Sequence, residues 1–415
     1  MLSILFTIFK LLIALTIVAS IHEFGHFLFA KLFHTQVNEF SIGFGPKIVQ
    51  KKHKETVYSL RWLPLGGYVA IEGEDGESTS SDAFNNKSAL ARIIILCAGV
   101  LFNALLAIVI FLSLSNLYPT YDTTITGFNN NSVLQNAGIQ IGDKITKING
   151  KKTNIADDLT YTGYIDTQTT EIEYIHDGKK YTATLDNAVK DIGYIGVIFK
   201  TDGDKVTNQI DMIDSGKAAT QAGLKAGDKI IQINDVKTTK SDDIINVVRN
   251  NPNVMLNFVI DRNGEILHKQ ITPTSKKLFD LGITSTQNVK SNLKYSWCKS
   301  YYNVETIVGS YVDLFKGKVK LTDMSGIVGI GEVVSRTNGL VEYLNLIGIL
   351  SLAVGVANIM PFPPLDGGKI FIILCESISK KKLPLKAEAI ISYIGFGLLI
   401  ILSIFVTYND ILRVF

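Results

Sequence analysis

Long apolar stretches lie near both ends of the chain, whereas the middle reads as an ordinary soluble sequence. Four stretches, approximately residues 3–30, 89–117, 341–362 and 387–407, reach the length of about 20 residues that a helix needs to cross a bilayer. Lys10 interrupts the first, and we expect its amine to reach the nearer interface. The pattern therefore predicts a polytopic α-helical membrane protein with four transmembrane helices.

The first stretch has one competing interpretation, a cleaved signal peptide ending near Ala19-Ser20. No basic segment precedes the apolar run, and the run continues past Ser20, which is atypical of such leaders. We therefore expect an uncleaved span.

Orientation follows from the basic residues of the short loops. The loop after the first span carries Lys31, Lys47, Lys51, Lys52, Lys54, Arg61 and Lys87, and the loop after the third carries Lys369, Lys380, Lys381, Lys382 and Lys386. Lys and Arg accumulate on the cytoplasmic side. We expect both loops there, with both termini and the middle region outside.

The middle region contains an internal repeat. Residues 136–149 (NAGIQIGDKITKIN) recur as residues 221–234 (QAGLKAGDKIIQIN), an offset of 85 residues. So long a period indicates two copies of a small domain rather than a solenoid. The shared Ala-Gly and Gly-Asp-Lys-Ile pattern resembles PDZ domains, which commonly bind a peptide as an added strand. Two interpretations stay open, peptide capture and a spacer or filter without ligand.

After the repeat, apolar residues recur at spacings of three and four from Trp297 to Val319, which predicts an amphipathic helix. It lies either on the outer membrane surface or against the spans.

Overall composition argues against a nucleic-acid partner and against a disulfide framework. The net charge of +3, from 41 basic and 38 acidic residues, gives no reason to expect a nucleic-acid partner. The three cysteines, Cys97, Cys298 and Cys375, are too few and too scattered for a disulfide framework.

The most informative polar residues lie inside the first span, in His22-Glu23-Phe24-Gly25-His26. His-Glu-x-x-His on a helix places both imidazoles on one face, where they can bind one Zn²⁺, with Glu positioned as general base. The motif also arises by chance in soluble helices. Ionisable groups at bilayer depth are costly, however, and therefore indicate a functional site.

A catalytic zinc site usually has three protein ligands and an open position. Asp366 is the candidate third ligand, because it ends the third span at the depth of the histidine pair, in a segment broken by Pro361, Pro363, Pro364 and two glycines. Irregular backbone at this depth must be buried in protein or line a wet cavity. The alternative is a helix end capped by Asp at the interface.

Together, the His22–His26 motif, the Leu365-Asp366-Gly367-Gly368 loop after Asn358, and the repeated outer domain resemble the site-2 protease family. These are intramembrane zinc metalloproteases (peptidase M50), and the bacterial regulator of sigma-E protease type is most similar. The resemblance covers nearly the whole chain. It implies one Zn²⁺ per chain held by His22, His26 and Asp366, with Glu23 as general base.

The resemblance also implies a division of the chain and a substrate site. The predicted segments are transmembrane helices at 1–34, 88–118, 340–368 and 386–412, a cytoplasmic membrane-reentrant β region at 35–87, extracytoplasmic PDZ (α+β) domains at 121–201 and 203–277, and an amphipathic helical region at 290–338. The predicted substrate-binding residues are Gly67, Tyr68, Val69, Asn103, Asn358, Pro361 and Pro363. Val100, Ile327 and Ala353 depart from residues common in the family, and none of these positions belongs to the expected zinc ligands or the base.

The expected activity is hydrolysis of peptide bonds within the transmembrane segments of single-span proteins, such as anti-sigma factors and signal-peptide remnants, in the bacterial cytoplasmic membrane. The active site would face the cytoplasmic side. One alternative is a catalytically inactive membrane scaffold whose PDZ pair binds peptides. Another is a transporter built on broken helices, although four spans show no inverted repeat.

Overall fold

The structure is a computed structural model that describes residues 2–414 except positions 75, 77, 130, 131, 168, 203, 204, 215, 216, 291, 320, 322, 323 and 338. Gly203 and Asn338, where a predicted PDZ domain begins and the predicted amphipathic region ends, therefore lie outside the described residues. The chain divides into two units, one of residues 1–120 and 288–408 and the other of residues 121–287 and 409–415.

The α-helices of the described residues include four that are long and apolar enough to cross a membrane, in agreement with the four apolar stretches of the sequence. These four are the helices Leu2–Leu32, Ala89–Leu117, Leu340–Asn358 and Leu385–Val414. In chain order the helices are α1 (Leu2–Leu32), α2 (Ala89–Leu117), α3 (Val133–Asn136), α4 (Ala218–Gln221), α5 (Ser241–Arg249), α6 (Leu293–Phe315), α7 (Ile327–Ser335), α8 (Leu340–Asn358), α9 (Asp366–Ser379) and α10 (Leu385–Val414).

The third span is shorter than predicted. α8 ends at Asn358 rather than at residue 362, and Asp366 begins the separate helix α9 instead of closing the span. Pro361 and Pro363 explain the early end, since proline lacks an amide donor and disfavours helical backbone in the residue before it. Asp366 is therefore placed by a loop and a helix start.

The amphipathic helix α6 packs through a face that adjoins its apolar stripe and shares Val304 with it. Its small polar residues Ser296, Ser300 and Asn303 are buried, whereas Trp297 is 62% exposed. Val304 and Ile307 on the same helix pack with residues of α2 and α8. Of the two predicted locations, α6 occupies the one against the spans and presents its largest apolar side chains outward.

The strands form one hairpin in the first unit and three sheets formed mainly by the second. They are β1 (Val37–His53), β2 (Thr56–Ile71), β3 (Thr120–Phe128), β4 (Lys144–Ile148), β5 (Lys151–Lys152), β6 (Thr169–His176), β7 (Lys179–Asp186), β8 (Val189–Tyr194), β9 (Val197–Asp202), β10 (Lys205–Ile213), β11 (Lys229–Ile233), β12 (Val236–Lys237), β13 (Leu256–Arg262), β14 (Glu265–Ile271), β15 (Thr274–Phe279) and β16 (Ile283–Val289).

The hairpin of β1 and β2 fills the segment after the first span. The two strands pair antiparallel from Val37 with Ile71 to His53 with Thr56, and the register shifts several times along the ribbon. Gly43 has φ +83°, which L side chains rarely adopt and which glycine tolerates. Such irregularities bend and twist a strand. Near its Ile71 end the hairpin packs with residues of α1 and α2 in one buried cluster.

The sequence repeat is a structural repeat in the second unit. In each copy a short helix, α3 or α4, leads through a Gly-Asp corner into a strand, β4 or β11, at equivalent positions. The corner aspartates Asp143 and Asp228 are both buried and accept the amide N–H of the residue three positions earlier, Gln140 or Lys225, at 2.9 and 2.8 Å. The same residue types thus build the same corner twice.

The sheets divide this unit differently from the predicted boundary between residues 201 and 203. One sheet has the strand order β16-β3-β4-β6-β7, with β5 beside β4, and the other has the order β14-β13-β11-β10-β9, with β12 beside β11. β9 therefore belongs to the second sheet, and β16, which lies beyond residue 277, belongs to the first. The ribbon of β8 and β15 carries the chain out of the first sheet and back. Each sheet has its own buried core.

Candidate metal centre and active site

The two histidines of the first span face one point. His22 and His26 lie one helical turn apart on α1, and both are 6% exposed. Their Nε2 atoms are 3.1 Å apart, and the ring planes are nearly perpendicular. Two neutral imidazoles with lone pairs this close require a cation between them or a shared proton.

Asp366 completes a triangle with this pair. Its Oδ2 lies 2.9 Å from Nε2 of His22 and 3.3 Å from Nε2 of His26. Zinc bonds of about 2.0–2.1 Å place neighbouring ligands of a tetrahedral site about 3.3 Å apart. The triangle fits a single tetrahedral ion, and its donor set of two imidazoles and one carboxylate is typical of catalytic zinc. These three residues could therefore hold the metal.

Gly99 of α2 leaves the space that an ion would need. A Cβ at this position would lie 2.5 Å from Nε2 of His26 and 2.7 Å from Nε2 of His22. Gly25 allows the helices to approach, because a Cβ there would lie 2.4 Å from the carbonyl oxygen of Ala98. The pair of glycines brings α2 against the histidine face of α1 and keeps the triangle open.

Main-chain and side-chain groups of α2 contact the outer nitrogens of both rings. Nδ1 of His26 donates to the carbonyl oxygen of Ile95 at 2.8 Å, which leaves its Nε2 free to bind a metal. Nδ1 of His22 lies 3.3 Å from Nδ2 of Asn103, and Asn103 is fully buried. Sequence reasoning missed Gly99 and Ile95, since neither residue has a chemically reactive side chain.

Glu23 lies between the histidines in sequence and contacts the hairpin. Its Oε2 accepts the main-chain N–H of Val69, in β2, at 3.0 Å. The hydrogen bond fixes one carboxylate oxygen. A carboxylate held in this way beside the ligand triangle is placed to exchange protons with a reacting group.

The predicted substrate-binding residues fall into two groups. Asn103, Asn358 and Val69 contact the histidines or Glu23, with Nδ2 of Asn358 3.3 Å from Nε2 of His22. The other four have different surroundings. The Tyr68 ring stacks on Phe44, and its hydroxyl accepts a hydrogen bond from Arg61. A Cβ at Gly67 would lie 2.6 Å from the carbonyl oxygen of Ser41. Pro361 is exposed, and Pro363 adjoins Gly368 and Gly395.

Comparison with known proteins gives full-length matches. Zinc metalloprotease RasP of Bacillus licheniformis is 30% identical, covering 95% of this chain and 96% of that protein. Regulator of sigma-W protease RasP of Bacillus subtilis is 29% identical, covering 95% of both chains. Probable protease eep of Enterococcus faecalis is 29% identical, covering 99% of both. The sequence pattern of the family described as Peptidase family M50 matches residues 10–402, and the chain therefore belongs to that family as a membrane metalloprotease.

Proposed function

We propose that this protein is a zinc endopeptidase that cuts the transmembrane segments of single-span proteins inside the bilayer. The observation that carries the proposal is the triangle of His22, His26 and Asp366, whose ligand atoms lie 2.9–3.3 Å apart among helices apolar enough to cross a membrane. Soluble substrates would have no access to such a position. The names of the relatives, zinc metalloprotease and regulator of sigma-W protease, support the metal and a regulatory role.

Each residue of the site has a role in this proposal. His22, His26 and Asp366 would hold one Zn²⁺, which when bound polarises a carbonyl and lowers the pKa of water to about 7. Glu23 accepts a proton from the attacking water and returns it to the leaving amine. The Val69 N–H orients the Glu23 carboxylate for both transfers. Nδ2 of Asn358 lies beside the ligand atoms and is placed to donate to the substrate carbonyl as negative charge develops on it.

A helical substrate shields its own peptide bonds, so it must unwind before cleavage. β1 and β2 form a two-stranded sheet within the described residues, which leaves an edge of β2 to receive an extended segment beside Glu23. Strand addition would satisfy the amides of the unwound substrate in a medium that offers few other partners. Gly67 and Tyr68 belong to the same strand, and Pro361 and Pro363 shape the loop before Asp366.

We assign the two repeats to PDZ domains outside the cytoplasmic membrane, with the active site toward the cytoplasmic side and both termini outside, on the distribution of Lys and Arg. The pair would act as a size filter that admits anti-sigma factors or signal-peptide remnants once their outer domain is gone. Membership of a peptidase family favours this enzyme over an inactive PDZ scaffold or a transporter.

The decisive experiment separates the base from the metal. Glu23→Gln should lower cleavage of a single-span reporter by about 10²–10⁴-fold, the usual contribution of a general base, while zinc stays at one per chain by elemental analysis. Glu55→Gln, an exposed glutamate at the turn of the hairpin, is the matched control and should cleave normally. Full cleavage by the Glu23 variant would refute the assigned base.

A further inference from the structure

In its present orientation, the side-chain amide of Asn103 cannot hydrogen-bond to a His22 that binds a metal. Its Nδ2 lies 3.3 Å from Nδ1 of His22, while its Oδ1 is buried without a hydrogen-bond partner in the described part of the chain. If Nε2 of His22 binds a cation, Nδ1 must carry the proton. Two N–H groups would then face each other, and an acceptor would be left unused.

Rotating the amide by half a turn removes both faults. The nitrogen and oxygen of an amide have nearly the same shape, so hydrogen-bond chemistry decides between the two orientations. In the rotated form Oδ1 accepts the Nδ1–H of His22. An unpaired buried acceptor is costly, and this rotation satisfies it without moving any other group.

The same helix supplies the matching group for the other histidine. Nδ1 of His26 donates to the carbonyl oxygen of Ile95 at 2.8 Å. Ile95, Gly99 and Asn103 are four residues apart, so they lie along one face of α2. This face therefore presents an acceptor for each ring, with the open space of Gly99 between them.

We infer that Asn103 is a positioning residue that accepts the Nδ1–H of His22 and thereby holds the ring in its metal-binding tautomer. This deepens the proposed function and rests on it, since it assigns a role toward the same zinc. It differs from the role predicted by family resemblance, contact with the substrate backbone. Partners that orient a metal-bound histidine typically affect metal affinity by about 10–100-fold.

Two substitutions at Asn103 separate an accepting role from a structural one. Asn103→Leu removes the acceptor, and zinc should bind about 10–100-fold more weakly in competition with a chromogenic chelator. Asn103→Asp keeps an acceptor and no donor, so its zinc affinity should equal or exceed that of the wild type. Asn116→Leu, an exposed asparagine on the same helix, is the control and should bind zinc normally.

A second measurement decides the matter even if the leucine variant folds poorly. In zinc-loaded full-length protein labelled with ¹⁵N-histidine, the Nδ1–H of His22 should be protected from solvent exchange in the wild type and in Asn103→Asp, and unprotected in Asn103→Leu. The Nδ1–H of His26, bonded to Ile95, should stay protected in all three and report an intact site.

The inference is overturned if Asn103→Leu binds zinc like the wild type, if Asn103→Asp loses as much affinity as Asn103→Leu, or if the His22 proton is unprotected in the wild type. Failure of the underlying proposal has a different signature. His22→Ala should lose zinc whatever the role of Asn103, and wild-type affinity in that variant would mean that the metal site itself is wrong.

Discussion

Gly99→Ala tests the metal position with a single methyl group. In the structure a Cβ at residue 99 lies 2.5 Å from Nε2 of His26, 2.6 Å from Cε1 of His22 and 2.7 Å from Nε2 of His22. The methyl would therefore occupy the space that a shared ion needs. Since alanine favours helices more than glycine does, the substitution should not destabilise the backbone of α2.

The size of the effect follows from these distances. Ordinary contact begins near 3.4 Å, so the closest ligand atom must retreat by 3.4 − 2.5 = 0.9 Å. Ligand distances in zinc sites lie within about 0.2 Å of their usual values. We expect zinc affinity to fall by more than about 100-fold, beyond the range for indirect partners of a ligand.

The assay measures zinc per chain and reporter cleavage on the purified protein. Gly355→Ala on α8 is the matched control, because a Cβ there meets its nearest atom at an ordinary 3.5 Å. It should bind zinc and cleave as the wild type does. If Gly99→Ala also kept one zinc per chain and full cleavage, the ion would not lie between these histidines and α2.

Three further predictions test other parts of the molecule. Asp366→Ala should retain less zinc than the wild type, measured by elemental analysis after dialysis, and full occupancy would contradict the third ligand. Deletion of residues 121–287 should allow cleavage of reporters that keep a folded outer domain, and unchanged selectivity would contradict the size filter. The deletion extends into β16 because that strand pairs with β3. The Asp143 carboxylate raises the pKa of His176, so the stability that this contact contributes is fully present below about pH 6.5 and declines as pH rises through the raised pKa. Asp143→Asn should lower the pKa of His176 in an NMR titration. An unchanged pKa would refute the pairing.

The reactive side chains of the site were predictable because their chemistry is conspicuous in an apolar environment. His22, Glu23, His26 and Asp366 are ionisable residues in or beside spans, where each needs a reason to be present. The structure brings the three proposed ligands within 3.3 Å of one another. Their assignment as zinc ligands stays a prediction that the experiments above address.

The glycine and the main-chain carbonyl that α2 supplies were not predictable, because neither group stands out in a helical sequence. Gly99 and Ile95 matter only through the close approach of two helices, which sequence spacing does not reveal. The packing face of α6 was not predictable for a related reason. Hydrophobic periodicity identifies an apolar face but not its surroundings, and beside membrane spans small polar residues pack well between helices.

The ribbon of β8 and β15 connects the second repeat to the first at a single place, so that the second repeat can be deleted as a unit. Val189 and Phe279 are directly paired across it, at the spacing of about 5 Å that neighbouring strands keep. A two-residue Asn-Gly turn closes such a gap in a hairpin. Splicing residue 189 to residue 279 through that turn would excise the second repeat while preserving the complete sheet of the first, so the contribution of the second copy can be isolated in an otherwise unaltered chain.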